Sequence, residues 1–199
     1  MKNTIILTLA AALTLQGGFA AADTYKVQHS DPAGTFKIDP QHSVAQFWIG
    51  HMGVSEFPGR FDAISGSFTV DASNKADTVS VEIPIDSLDT NYDKRNKDLL
   101  GPDFFNAKQF PKMTFTSTSV KMKNESEGTL AGNLTLHGVT KPVTFSLRHV
   151  GAGPDPWGGY RSGYVAKTTI HRSDFGMNYM LNGIADTVEV QLNIEGKRQ

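Results

Sequence analysis

The stretch NYDKRNKDLLGPDFFNAKQFPKMTFTSTS, Asn91 to Ser119, holds the one helix-like segment of a chain that otherwise alternates. Asn91 can serve as N-cap, Tyr92 and Leu99 lie seven residues apart on one face, Gly101 offers a left-handed stop, and Pro102 forbids continuation. Asp103-Phe104-Phe105 then sets down two bulky rings, with no earlier apolar residue to complete a second amphipathic face. Beyond the Phe110-Pro111 break the period becomes two, with Met113, Phe115, Ser117 and Ser119 on one side of a strand. A short helix ending in an aromatic plug implies something to be plugged. In a β-rich chain that is a hollow sheet.

The alternations on either side agree. Ser43, Ala45, Phe47, Ile49 and His51 share one face, with Val44, Gln46, Trp48 and Met52 on the other. Ile64, Gly66, Phe68 and Val70 alternate after Gly59-Arg60-Phe61, which reads as a turn. Val79, Val81, Ile83 and Ile85 follow, with Pro84 marking an edge or a bulge because it cannot donate to a ladder. Leu130 to Leu136 and Val143 to Leu147 flank a turn read over His137 to Pro142. Tyr164 to Arg172 and Val188 to Ile194 complete the series. Such runs without long helices predict an antiparallel barrel or sandwich, and about eight strands suffice for a barrel that holds one small ligand. Ala45, Gly66, Gly132, Ala166, Ser43, Ser117 and Thr168 on the inner faces favour the barrel, since a sandwich core wants large side chains throughout.

Composition narrows the class further. Residues 1–22 read as an export leader: Lys2, an apolar run from Ile5 to Leu15, then Ala20-Ala21-Ala22. That run is too short to span a bilayer, so cleavage and a periplasmic location are expected, with one domain over residues 23–199. With 19 Lys+Arg against 20 Asp+Glu, the charge balance argues against a nucleic-acid partner. There is no Cys, so no disulfide supports the fold.

Several segments together resemble the YceI-like polyisoprenoid-binding family of secreted, lipocalin-like barrels. They are Asp39-Pro40-Gln41-His42-Ser43 with Phe47 and His51-Met52-Gly53; Gly59-Arg60-Phe61; Ser87 with Asp89-Thr90-Asn91; Arg95, Leu99 and Asp103-Phe104-Phe105; Phe110-Pro111; Gly132 to Val143; and Asp174-Phe175-Gly176-Met177 with Val188. Family members often carry Arg-Asp-x-His-Leu ahead of the plug. Here those positions read Arg95-Asn96-Lys97-Asp98-Leu99, so the acid and the His are both replaced.

The resemblance implies a single all-β antiparallel barrel of roughly eight strands, flanked by one short helix, whose lumen takes a long isoprenoid chain such as a polyprenyl lipid or quinone tail. The side chains expected to line that lumen are Phe47, Ile49, His51, Phe68, Val81, Ile83, Leu99, Phe104, Phe105, Phe115, Leu134, Ile170, Arg172 and Met177. The Asn91–Phe105 segment and a Gly151–Gly163 loop are the parts expected to move. Trp157 and Tyr160 in that loop offer a surface for transient membrane contact, or for pairing two barrels into a homodimer.

Catalysis has weaker support. His51 could meet a polar head group or, in the alternative reading, act as acid-base in an enzyme working on a bound hydrophobic molecule. Arg172 could pair with a ligand oxygen, although Asp174 is its more ordinary partner. The six His show no metal-ligand spacing, and no nucleophile elbow or phosphate-binding loop occurs. No catalytic residue, metal or cofactor is therefore expected, other than the lipid itself as ligand.

Overall fold

The computed structural model describes residues 32–73 and 76–199. The leader expected over residues 1–22 lies outside the described residues. The alternating runs become β1 (Gly34–Ile38), β2 (Val44–His51), β3 (Ser55–Phe61), β4 (Ser65–Val70), β5 (Thr78–Pro84), β6 (Leu88–Asp89), β7 (Lys112–Met122), β8 (Glu127–Leu136), β9 (Val139–Pro154), β10 (Tyr160–His171) and β11 (Ile184–Arg198). One helix, α1 (Asp93–Leu99), lies between β6 and β7.

Eight strands close an antiparallel ring in the order β1-β4-β5-β7-β8-β9-β10-β11, and β11 returns to β1. Closure depends on the length of β11, whose one edge serves two neighbours. Gly196–Arg198 pair with β1, while Ile184 and Val188–Asn193 pair with β2. β2 carries β3, and β3 carries the two-residue β6, so the wall forks at β11. Pro84 ends β5 where the chain turns from β4's side of the fork to β3's, which is the edge position its missing N–H requires.

The fork is stitched by the residues between β1 and β2. Asp39 N–H donates to Glu195 O (2.8 Å), and Glu195 N–H donates to Ser43 Oγ (3.0 Å). The Asp39 side chain, only 2% exposed, accepts from Gln41 N–H, His42, Arg161 and Lys197 at 2.9–3.1 Å. Burial alone would raise its pKa. The bonds from His42, Lys197 and Arg161 outweigh that and hold the carboxyl well below the ordinary range. A carboxyl depressed in the fold contributes stability that is present above its unfolded pKa of about 3.9 and is lost as pH falls below it. Asp39→Asn should therefore lower the neutral-pH melting point by roughly 3–10 °C, equivalent to about 1–3 kcal/mol, and flatten the acid limb below pH ~4. Melts followed by circular dichroism from pH 2.5 to 7 test this; identical acid limbs in both proteins would refute it.

Four local readings need correction. Gly59-Arg60-Phe61 is strand rather than turn, because Gly59 lies under the Phe47 ring: a Cβ there would sit 2.2 Å from Phe47 Cζ. The β8–β9 turn is only His137-Gly138, both with positive φ (52° and 76°), the geometry that suits a two-residue hairpin. The Gly151–Gly163 segment is mostly paired strand, its turn confined to residues 155–159. Finally, α1 starts after Tyr92, with Asn91 in the left-handed region ahead of it (φ 58°); Gly101 is not left-handed and donates its N–H to Asp98 O at 3.1 Å.

Candidate functional site

The ring encloses two cavities that share Val81, Phe115 and Leu192 in their walls. The near chamber, at the α1 end, has a volume of about 270 Å³; the far chamber holds about 370 Å³. Their walls follow from the alternation, since period two turns every second residue of each ring strand inward. Phe115, at the waist, stands edge-on to Phe145 (5.3 Å) and covers Gly132, where a Cβ would lie 2.4 Å from its Cζ. Gly132 is therefore filled by an aromatic ring rather than leaving free volume. Ala45 and Ala166 are buried and do line the chambers, the former near and the latter far.

The segment between β6 and β7 closes the side of the near chamber that the fork leaves bare. Arg95, Leu99, Phe104 and Phe105 all face this space. Phe105 meets Phe61 edge-on at 5.6 Å, and Phe104 meets Tyr179 at 5.3 Å. Arg95 stacks on the Phe57 ring (3.7 Å) and donates to Thr90 O (2.6 Å). The two positions that depart from the family pattern hold the helix locally: Asn96 accepts from Thr90 N–H (2.9 Å), and Asp98 pairs with Lys94 (2.9 Å). Neither lines the chamber.

The fourteen side chains expected in the lumen all border one chamber or the other. Phe68 lies in the far chamber, Val81 and Phe115 in both, and the remaining eleven in the near one. His51 is exposed and stands at the near chamber's rim. Arg172 does not pair directly with Asp174. Its guanidinium donates to the carbonyls of Ala185 (2.9 Å), Met177 (2.7 Å) and Ile184 (2.9 Å), tying the β10–β11 connection shut. Burial pushes its pKa down, with Asp186 partly offsetting this.

Alternation alone missed a polar cluster in the wall of the far chamber, which His149 and Tyr164 line with Ser162 bonded beside them. His149 and Ser162 are buried, with Nε2 and Oγ 3.3 Å apart, and the His149 ring lies 4.8 Å from that of Tyr164. His149 shares a face with Phe145 and Leu147, so the signal was the same period carried one step further. The two chambers also differ in charge. Among the described residues lining the near chamber are Arg95 and Arg172 but no Asp or Glu; Asp77 and Glu125 line the far one, with no Lys or Arg.

Six of the eight large apolar side chains exposed among the described residues cluster at the α1 end: Met52, Val54, Tyr92, Tyr179, Met180 and Leu181. Met52 donates its N–H to Gly183 O (2.7 Å), joining the β2–β3 and β10–β11 connections. Met52 and Met180 both hold positive φ, a conformation that non-glycine residues rarely keep without a constraint. Trp157 is exposed at the opposite end, on the short β9–β10 turn, whereas Tyr160 is partly buried under Arg198.

Among the described residues Asp39, His42 and Glu195 form the one cluster dense enough for a metal ion. Arg161 and Lys197 already neutralise it, so it reads as an ion-pair network.

Comparison with known proteins fits this geometry. The model of the YceI-like domain matches residues 36–196. A UPF0312 protein of Pseudomonas aeruginosa is 43% identical over 199 residues, covering 100% of this chain and 98% of its own. The Campylobacter jejuni YCEI protein superposes with a TM-score of 0.69 at 26% identity, over 75% of this chain and 90% of that one. A polyisoprenoid binding domain from Saccharophagus degradans, implicated in plant cell wall breakdown, shares the fold at a TM-score of 0.65 and 17% identity, over 82% of this chain and 98% of that one. A forked eight-strand ring with a helical plug, matched along nearly its whole length by that domain model and by full-length relatives, places the chain in the YceI-like family.

Proposed function

We propose that the protein carries or sequesters a long isoprenoid lipid, a polyprenyl lipid or quinone tail, after export to the periplasm. The observation that carries this reading is the two-chambered apolar lumen, walled by Phe, Leu, Val, Ile and Met. Burial removes about 0.8 kcal/mol per carbon from water, or roughly 4 kcal/mol gross for each five-carbon unit, so a few units give tight retention even after ordering costs. The polyisoprenoid binding named for the Saccharophagus degradans domain supports the same ligand class. No cofactor and no catalytic step are needed for this role.

The ligand's route follows from where the apolar rim lies. Met52, Val54, Tyr179, Met180 and Leu181 surround the end where His51 and Ser55 border the near chamber. A lipid leaving a bilayer there passes from acyl chains to rim to lumen without its tail meeting water. The membrane-facing end is accordingly the α1 end rather than the Trp157 turn.

The test is direct. Protein purified from the periplasmic fraction without detergent should show, in native mass spectrometry, an added mass that organic solvent removes and that fragments as an isoprenoid. A bare protein mass, with no lipid in the extract, would overturn the carrier reading.

A further inference from the structure

We propose that the outer wall of the barrel, across β7 to β10, carries a binding groove for an acidic saccharide chain, a polymer that bears carboxylates and hydroxyls together. The groove is separate from the lumen, so this proposal stands or falls independently of lipid carriage.

The first observation is charge. A groove of about 570 Å³ crosses the outside of these four strands beside the β7–β8 turn, where Lys121, Lys123, Arg148 and Lys167 line it against a single carboxylate, Glu127. All four cations are exposed, and none of them forms an ion pair among the described residues. Exposed lysines elsewhere on the wall do find carboxylates, as Lys112 does in Glu82 and Lys94 in Asp98. A cationic surplus is thus gathered on one face of a chain whose net charge is −1. Like charges held together repel, and an anionic partner relieves them.

The second observation is the kind of contact the wall allows. Where the groove crosses β8, β9 and β10, each strand is paired along both edges. An extended peptide that docks by adding its backbone to an edge has none to use there. A partner meets side chains only.

The third is the order of those side chains. Cross-strand register sets Lys121, Thr129, Ser146 and Lys167 side by side, one to a strand, and Gln191 and Gln46 continue the row on β11 and β2. At about 4.8 Å per strand, Lys121 and Lys167 stand roughly 14 Å apart with two hydroxyl-bearing residues between them. Asn193 fixes both glutamines: Gln191 donates to Asn193 Oδ1 (3.1 Å), and Asn193 donates to Gln46 Oε1 (3.2 Å). The Gln191 carbonyl oxygen remains as an acceptor and the Gln46 amide as a donor, a pair suited to hydroxyls and already held in place. Cations spaced along a row of hydroxyls and amides match a chain that repeats acid and hydroxyl groups. A phosphate polymer would use the cations alone, and a neutral sugar only the groups between them.

End-labelled oligomers of galacturonic acid test this against controls of similar length: a neutral cello-oligosaccharide, poly-glutamate and single-stranded oligothymidylate. Affinities for the purified protein are read by fluorescence polarisation at low and at physiological salt. The galacturonate oligomer should bind about tenfold more tightly than each control, and its affinity should fall as salt rises. Lys121→Glu combined with Lys167→Glu should weaken it about tenfold or more. Lys108→Glu combined with Lys141→Glu makes the same change in net charge at exposed lysines outside the groove, and should leave binding unchanged. Gln191→Ala should narrow the preference for galacturonate over poly-glutamate. All of these variants should melt and retain lipid as the parent protein does. Equal losses in the two double variants, or no galacturonate binding at low salt, overturn the groove. Poly-glutamate or oligothymidylate binding as tightly as galacturonate overturns the saccharide assignment, and so does a neutral oligomer that binds equally well.

Discussion

Replacing Phe115 with Asp leaves a protein that neither retains lipid nor folds stably. Phe115 is 5% exposed, borders both chambers, packs edge-on against Phe145 and covers Gly132. Removing a buried aromatic ring costs about 3–5 kcal/mol by itself. An unpaired carboxylate in its place adds several more, because among the described residues no cation lines the waist and the near chamber's Arg95 and Arg172 are already bonded elsewhere. The total rivals the 5–15 kcal/mol that typically holds a domain together. Thermal melting together with lipid extraction measures the effect. A variant that melted normally and still co-purified with lipid would show that the ring does not face the lumen. Phe115→Ala separates the two roles: it should fold with a loss of about 3–5 kcal/mol, join the chambers, and exchange its ligand faster.

Arg172→Met should lower the melting point by about 6–12 °C, corresponding to roughly 3 kcal/mol for a chain of this length. Methionine matches the reach and apolar stem of arginine, so the loss isolates the guanidinium. That group satisfies the carbonyls of Met177, Ile184 and Ala185, and without it three acceptors in a tightly packed connection lose a charged donor. The same substitution should speed hydrogen exchange across residues 173–186 more than in β7 or β8, because those carbonyls bind the connection to itself rather than to the ring. Arg172→Lys, with one compact ammonium, should recover only part of the loss. Wild-type melting in the Met variant would mean that the carbonyls find other partners and that Arg172 is free for ligand.

Most of the wall was legible in the sequence because a half-buried strand must alternate. β2, β4, β5 and β8 to β11 each follow a run of period two, and most inward members of those runs line the chambers. β7 does so only to Phe115, because its register shifts between Ser117 and Ser119 and puts Val120 and Met122, not Ser119, in the far chamber. What alternation does not encode is who pairs with whom. The closing pairing depends on β11 spanning both β1 and β2, and that in turn depends on Asp39 and Ser43 bonding across the break. β3 was hidden because glycine signals a turn locally, while here it makes room for Phe47 across the strand pair. Past His149 the inward face was hidden by an irregularity, so that Ala152 rather than Gly151 is buried. Gly163 pairs with Gly151 but Tyr164 with His149, so Val150 is an extra residue on β9 and the inward face changes parity there. The roles of Asp39 and Arg172 were hidden too: Arg161 and Lys197 reach Asp39 only once the strands pair, and the acceptors of Arg172 are backbone carbonyls, which no residue type marks.

The fork in the wall has a mechanical consequence. The β2–β3–β6 arm hangs from β11 along a single edge, whereas the eight-strand ring is continuous without it. Swinging that arm outward widens the α1 end and breaks no pairing on which closure of the cylinder depends. For the carrier proposed above, a local hinge of that arm would exchange cargo while the rest of the container keeps its resistance to heat, so that tight holding need not mean slow delivery.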